Sequence, residues 1–435
     1  MILDRSRRRG RLLSLLLTVG LLAGCGSATA THSAASAALS ASAASSGSPA
    51  SSTDTSTAPP VPASCATTVA STLGTVAARI YHEAATGGDV AEAVHRMQSS
   101  SALAGAIDGG NASAAHVALR ALLLDQIARV EVLRGGHVFA EAGSGTAIAP
   151  VHGQIHGTSA SFVLSTQPAH AYLQVVHQVT GAQVLLRAGR RPLAGTFGGS
   201  LPVSIPGAGT LTLAGQSYQT LALPGAVYPS GQLQIVLLVP SATISCPGSL
   251  AQARMETLGH VGERIYQEEL HSPDVTATLR SMESSTVFQR AAAAGSVAAT
   301  RAAIIDFFAA HIHVVRVRVT IEESKIGQRL LIDEGGPFAL APVHGTLRSG
   351  GRVVGHFEMA IQDDAGYLKL AHLFTGVEVL MRTGSHQVMG TLSLGPATVP
   401  DRGEVTYRGR SYQAYSFVGE AFPAGPLRIS LLLPI

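Results

Sequence analysis

Arg79-Ile80-Tyr81-His82-Glu83 returns as Arg264-Ile265-Tyr266-Gln267-Glu268, with Ile80 and Ile265 185 residues apart. The same spacing relates Asp89-Val90 to Asp274-Val275 and Met97 to Met282. Farther on, Ala149-Pro150-Val151-His152-Gly153 returns as Ala341-Pro342-Val343-His344-Gly345 at a spacing of 192. Tyr172 and Thr180-Gly181 match Tyr367 and Thr375-Gly376 at 195, and Ser217-Tyr218-Gln219 matches Ser411-Tyr412-Gln413 at 194. A spacing that drifts by a few residues over a whole domain length marks a duplication with loop insertions. The largest insertion falls at 321–328. The reading divides the folded part into copies at 65–245 and 246–435.

Each copy reads helix first, then sheet. Val69, Leu73, Val76 and Ile80, like Met255, Leu258, Val261 and Ile265, recur at helical spacing. Asp89 and Asp274 suit the N-caps of a second helix, and 298–309 reads as a third. Strand patterns follow at 312–320, 329–333, 338–343 and 353–361. Asp363 or Asp364 then caps a short helix with Tyr367, Leu370 and Phe374 on its apolar face, and further strands cover 377–381, 388–393, 411–418 and 426–433. This order predicts an α+β fold: a long N-terminal helix and further helices packed on an antiparallel sheet, twice over.

The run Asp333-Glu334-Gly335-Gly336 through Ala341-Pro342-Val343-His344-Gly345, then Ile361-Gln362-Asp363-Asp364-Ala365-Gly366-Tyr367 and Thr375-Gly376, resembles the Cache-type sensor domains. That resemblance covers most of both copies and rests on element order and short motifs. It implies two tandem PAS-like domains that bind small ligands outside the membrane. Copy one departs from the pattern, with Pro168 and Ala169 for the two aspartates and Ala171 for Gly366. The chain shows no spanning helix leading to a kinase, cyclase or chemotaxis module, so a signal would pass to a separate transmembrane partner.

The N-terminus carries an address. Arg5, Arg7, Arg8, Arg9 and Arg11 precede an apolar run at 12–22 that is too short for a stable span. Leu22-Ala23-Gly24-Cys25 resembles the lipobox of bacterial lipoproteins. Residues 1–24 are therefore expected to be a signal peptide, with Cys25 the lipidated anchor on the extracytoplasmic face of the membrane. Residues 26–64, almost all Ser, Ala, Thr, Gly and Pro, read as a disordered tether. The first 25 residues hold five Arg and one Asp, so the net charge of +3 becomes about −1 without them. No electrostatic footprint for nucleic acid remains. Cys65 and Cys246 are the other cysteines; outside CxxC or His-rich patterns they read as a structural disulfide.

No GxSxG, HExxH or phosphate-cradling loop is present, so neither an enzyme nor a cofactor is expected. The 17 histidines raise a metal hypothesis, but the pairs His311/His313 and His152/His156 lack a third ligand at readable spacing. Arg316 and Arg318 alternate with valines and so share a sheet face, with Glu131 set opposite Arg316 in copy one. Together with His344, Asp363, Asp364, Tyr367 and Arg382 (Arg187 in copy one), they are the candidate ligand-binding residues. Tyr81 and Tyr266 read as helix–sheet packing residues. The expected function is a non-catalytic small-molecule sensor lipoprotein. Its rivals are an envelope structural or interaction protein with no small ligand and, more weakly, a hydrolase of envelope polymers.

Overall fold

A computed structural model describes residues 64–123, 127–198, 204–246, 248–323, 327–337, 339–423 and 425–435. The expected signal peptide, Cys25 and all of the expected tether but Ser64 lie outside these. The first copy runs α1 (Cys65–Thr86), α2 (Gly88–Ser99), α3 (Ser101–Asp108), α4 (Ala112–Leu123), β1 (Arg129–Arg134), β2 (His137–Gly143), β3 (Ala147–Ile148), β4 (Val151–Gln154), β5 (Ser161–Ser165), β6 (Gln167–Pro168), α5 (Ala169–Thr180), β7 (Gln183–Ala188), β8 (Arg191–Gly195), β9 (Ala208–Leu213), β10 (Gln216–Val227) and β11 (Gly231–Pro240). The second repeats it as α6 (Leu250–His271), α7 (Pro273–Ser284), α8 (Thr286–Ala293), α9 (Val297–Ala310), β12 (Arg316–Glu323), β13 (Gly327–Gly335), β14 (Ala339–Leu340), β15 (Val343–Ser349), β16 (Arg352–Ala360), β17 (Gln362–Asp363), α10 (Asp364–Thr375), β18 (Glu378–Thr383), β19 (His386–Gly390), β20 (Arg402–Tyr407), β21 (Arg410–Ala421) and β22 (Gly425–Pro434).

The protein is α+β, with a long helix opening each unit and antiparallel sheet following, as the tandem PAS/Cache-like reading expects. The sheet of each unit is divided. A four-stranded sheet, β2-β1-β5-β4 or β13-β12-β16-β15, is followed by a seven-stranded one, β6-β3-β10-β11-β7-β8 or β17-β14-β21-β22-β18-β19, with β9 or β20 added on β10 or β21. The expected strand at 338–343 is therefore broken. Ala339 and Leu340 pair in the larger sheet, Ala341 turns at φ 52°, and Val343 begins a strand of the smaller one.

Three short helices cover one face of each small sheet. Phe288, Ile304 and Phe307 pack on Val317, Val319, Phe357 and Met359; Met97, Leu103 and Leu119 pack on Val130, Val132 and Phe162. The larger sheets meet a common layer instead. One apolar core takes Val69 to Ile80 of α1, Met255 to Tyr266 of α6, the buried faces of α5 and α10, and the inner faces of both larger sheets. The copies thus share a core.

The repeated motifs supply its joints. The Tyr172 hydroxyl donates to the Ala77 carbonyl and that of Tyr367 to Gly262, each at 3.0 Å. The hydroxyls of Tyr81 and Tyr266 accept the backbone N–H groups of Ala226 and Glu420, each at 2.7 Å. Gly181 and Gly376 end α5 and α10 in the left-handed region, φ 69° and 70°, where glycine carries no Cβ penalty. A Cβ there would meet the guanidinium of Arg264 at Gly181 and of Arg79 at Gly376. Each copy's long helix thus sends its arginine to the carboxyl end of a helix in the other copy, where a cation is favoured by the helix dipole. A disulfide joins Cys65, at the start of α1, to Cys246, ahead of α6 (S–S 2.04 Å).

Candidate functional site

The seven candidate ligand residues do not form one site. Asp363 is the N-cap of α10 and accepts the Gly366 N–H at 2.6 Å. Asp364 is buried, and that burial, helped by the charge of Asp363, pushes its carboxyl up to about 6. Three expectations are corrected. Tyr367, 0% exposed, is spent in the shared core on Gly262, because α10 turns its apolar face to α6. Arg382 lies on the opposite face of its sheet from Val379 and Met381, and its guanidinium donates to the carbonyls of Pro396 and Ala397. Arg316 is held by both oxygens of Asp333 (2.8 and 2.9 Å) and by the Pro337 carbonyl (3.1 Å), and lies 4.9 Å over the Phe422 ring. A fork saturated in this way has no face left for a ligand carboxylate.

The pairing of Arg316 with Glu131 is corrected too. Arg129 and Arg316 hold the same place, each facing the glycine that ends the neighbouring strand (Gly143, Gly335) and each lying over an aromatic ring, Tyr228 or Phe422. Glu131 therefore corresponds to Arg318, two residues on.

Arg318 and His344 do come together. On β12, Val317, Val319 and Ile321 point into the helix-covered core, so Arg318 and Thr320 face the other way. Register sets Arg318 between Asp333 and Glu358, with His344 on the far side of Glu358. The next row is Thr320, His356 and Thr346. With Gln328 and Glu283, these residues border a cleft of about 500 Å3. Parts of its rim are fixed: Glu283 Oε1 accepts the Thr346 N–H at 3.3 Å, and Glu322 Oε1 holds His356 Nε2 at 3.2 Å and Gln328 Nε2 at 3.3 Å. Its centre is not. Arg318 Nε and Glu358 Oε2 are shielded from solvent and make no hydrogen bond. Buried polar atoms are ordinarily paired, so two orphans on directly opposed residues need an explanation.

Copy one closes the same place. Glu131 stands for Arg318, Val163 for Glu358 and Leu133 for Thr320. Val163 is buried with Tyr228 and Ala147, and Leu133 packs against them. Strand alternation in 353–361 places Glu358 and His356 opposite Phe357 and Met359, a signal available before the structure; Glu283, reaching in from a helix, gave none.

A second cleft, about 540 Å3, has Phe308, Ile312, Val314, Val315 and Met389 in its wall and Asp363 as its acid. The two histidines at the end of α9 serve as ties: His313 Nε2 meets the Thr278 hydroxyl at 2.8 Å and His311 Nε2 the Ser281 hydroxyl at 3.1 Å. Burial lowers His313 to about 4. Among the described residues, no group of three or more His, Cys, Asp or Glu could hold a metal ion, and no helix is long and apolar enough to cross a membrane.

No family model and no curated protein matches the chain. Two solved structures are similar in part. The periplasmic domain of Vibrio cholerae LuxQ is 9% identical over 41% of this chain and 98% of that one, with a TM-score of 0.24. An extracellular ligand binding receptor from Desulfohalobium retbaense is 11% identical over 52% of this chain and 47% of that one, with a TM-score of 0.26. This chain therefore spans about half the length of the second. TM-scores of this size lie below what marks a common fold.

Proposed function

We propose that this chain is a lipid-anchored, extracytoplasmic binding protein without catalytic activity, sensory in kind, in which the second copy takes a small molecule. Cys25 carries the lipid, 26–64 is the tether, and 65–245 and 246–435 are the duplicated units. The observation that supports this reading is an asymmetry at one place in the repeat: Arg318 and Glu358 border a cleft, while at the matching place in copy one Val163 is buried against Tyr228 and Ala147. Arg318 and Glu358 set a donor and an acceptor side by side in that cleft, which a small polar ligand can pair. The first copy is the scaffold, fused to the second through their common core. A ligand bound on the second copy is then reported to a transmembrane partner.

The test is thermal unfolding with panels of amino acids, carboxylates, purines and saccharides, on the wild type and on Arg318→Ala. A ligand that prefers the native state raises its apparent stability. One class should stabilise the wild type and not the variant; no stabilisation by any class counts against the reading.

A specific observation favours the second reading, a protein-interaction role. The helix-facing sides of both small sheets are packed with apolar side chains, while Ile312 stands 60% exposed in the wall of the apolar cleft and Ile305 of α9 is 59% exposed. Photo-crosslinkers at these two positions, giving a protein adduct in membranes while no small molecule stabilises the chain, would select this reading.

A further inference from the structure

Resting on the small-molecule reading, we infer that the Arg318–Glu358 cleft takes an uncharged polyhydroxylated ligand, a saccharide. The groups bordering it alternate in hydrogen-bonding character. The guanidinium of Arg318 only donates and the carboxylate of Glu358 accepts, while the imidazole of His344, the hydroxyl of Thr346 and the amide of Gln328 each do both. Glu283 adds an acceptor at the rim, already engaged with the Thr346 N–H.

Charge decides against an ion. An anion drawn to Arg318 would lie against Glu358, its direct cross-strand partner, with Glu283 also on the rim. A cation drawn to Glu358 would meet Arg318. Like charges brought this close repel strongly in a partly dehydrated cleft. Hydroxyl groups meet neither difficulty, since each donates and accepts. Neighbouring hydroxyls could bond the guanidinium of Arg318 and the carboxylate of Glu358 together without adding charge.

Size decides against the smallest zwitterions. The cleft falls in the range that encloses a drug-sized ligand, and its border continues past the Arg–Glu pair to Thr346 and Gln328. An α-amino acid would use the two charged groups and leave the remainder to water. A sugar ring of one or two units presents hydroxyls along the whole row. Copy one, with Glu131 for Arg318 and Val163 for Glu358, lacks the opposed donor and acceptor.

The experiment uses the full chain purified in detergent. D-glucose, D-galactose, N-acetyl-D-glucosamine and maltose are titrated calorimetrically, beside L-glutamate and L-lysine, at low and high salt. Arg318→Met and Glu358→Gln are measured in parallel. The expected result is saturable binding of at least one of the four saccharides, unchanged by salt, weakened roughly tenfold or more in either variant as a hydrogen bond to a charged group is lost. Without sugar, both variants should unfold at or above the wild-type temperature, because neither orphan atom has a protein partner to lose. A destabilised variant would show the pair to be structural and would overturn the inference. So would saccharide binding that both variants leave intact. Binding of L-glutamate or L-lysine alone, weakened by salt, would overturn the saccharide assignment and leave the small-molecule reading standing. If none of the four sugars binds, this inference fails; if the wider thermal panel also finds nothing, the reading beneath it fails too.

Discussion

Replacing Glu269 by Gln should flatten the dependence of stability on pH. Glu269 sits in the last turn of α6, 2% exposed. Its carboxylate receives the amide nitrogen of Gln362 at 3.1 and 3.3 Å, while the Gln362 carbonyl accepts the Tyr367 N–H. Burial, with a smaller contribution from the charge of Glu268, pushes the Glu269 carboxyl from 4.5 up to about 8. The sign follows from where the proton goes. Below the unfolded value both states hold the proton and nothing is lost. Between 4.5 and 8 the unfolded chain releases it while the folded chain keeps it, so stability falls as pH rises. Above 8 both are ionised and the whole penalty stands. The slope approaches about 1.4 kcal/mol per pH unit, so the group removes roughly 2.5 kcal/mol between pH 5 and 7. Asp364, raised to about 6, adds a slope of the same sign but stays in both proteins and drops out of the difference. Urea unfolding at pH 5, 6, 7 and 8 measures this directly. Glu269→Gln should gain on the wild type by about 2.5 kcal/mol between pH 5 and 7. Parallel curves would show that Glu269 is ionised in the folded protein and would refute the reasoning.

Four other outcomes can be checked. Gly376→Ala should cost about 1–2 kcal/mol and less in an Arg79→Ala background, since the left-handed cap and the guanidinium both oppose a Cβ; a double-mutant cycle with no coupling would remove the arginine from the cap. Tyr367→Phe should lose about 1 kcal/mol in chemical denaturation by removing the hydroxyl's bond to the Gly262 carbonyl, which keeps its own helical partner, and Tyr172→Phe should lose the same at Ala77; a neutral result would show that the hydroxyl adds nothing to the contact. Thiol labelling of the unreduced mature protein should find neither Cys65 nor Cys246, and Cys65→Ser with Cys246→Ser should lower stability by about 2–5 kcal/mol. Cys25→Ser should move the protein from the membrane to the soluble fraction and abolish palmitate labelling; membrane retention would argue for an uncleaved anchor.

Much of the architecture was legible because it depends on local periodicity. Helical spacing of Val69, Leu73, Val76 and Ile80 placed α1, and alternation placed β12, β13 and β16 close to where they lie. The cap at Asp363 was readable because its oxygen needs only the backbone N–H three residues on. Three strands escaped notice, one of them Val343–Ser349, which lies beyond the expected 338–343 but for its first residue. Arg402–Tyr407 alternates but joins the sheet only through its hairpin with β21, and Gln362–Asp363 is two residues long.

The candidate site was less legible, because whether a polar residue is available depends on what stands across from it. Arg316 and Arg318 look alike in a strand, and the register sets Asp333 opposite Arg318, yet the Asp333 carboxylate turns diagonally to Arg316 and leaves Arg318 Nε beside Glu358 without a bond. Tyr367 and Arg382 look as suitable for a pocket as His344 does, until the buried face of α10 and the two faces of β18 are assigned. By itself the sequence determined that the chain is duplicated, that each copy runs from helix to antiparallel sheet, and which faces are apolar, since these follow from residue spacing along one chain. Only the tertiary structure decided that the copies share a core, that Arg79 and Arg264 reach across to Gly376 and Gly181, and that a polar cleft is open in one copy and filled in the other. Those are contacts between residues far apart in sequence, and no local period encodes them.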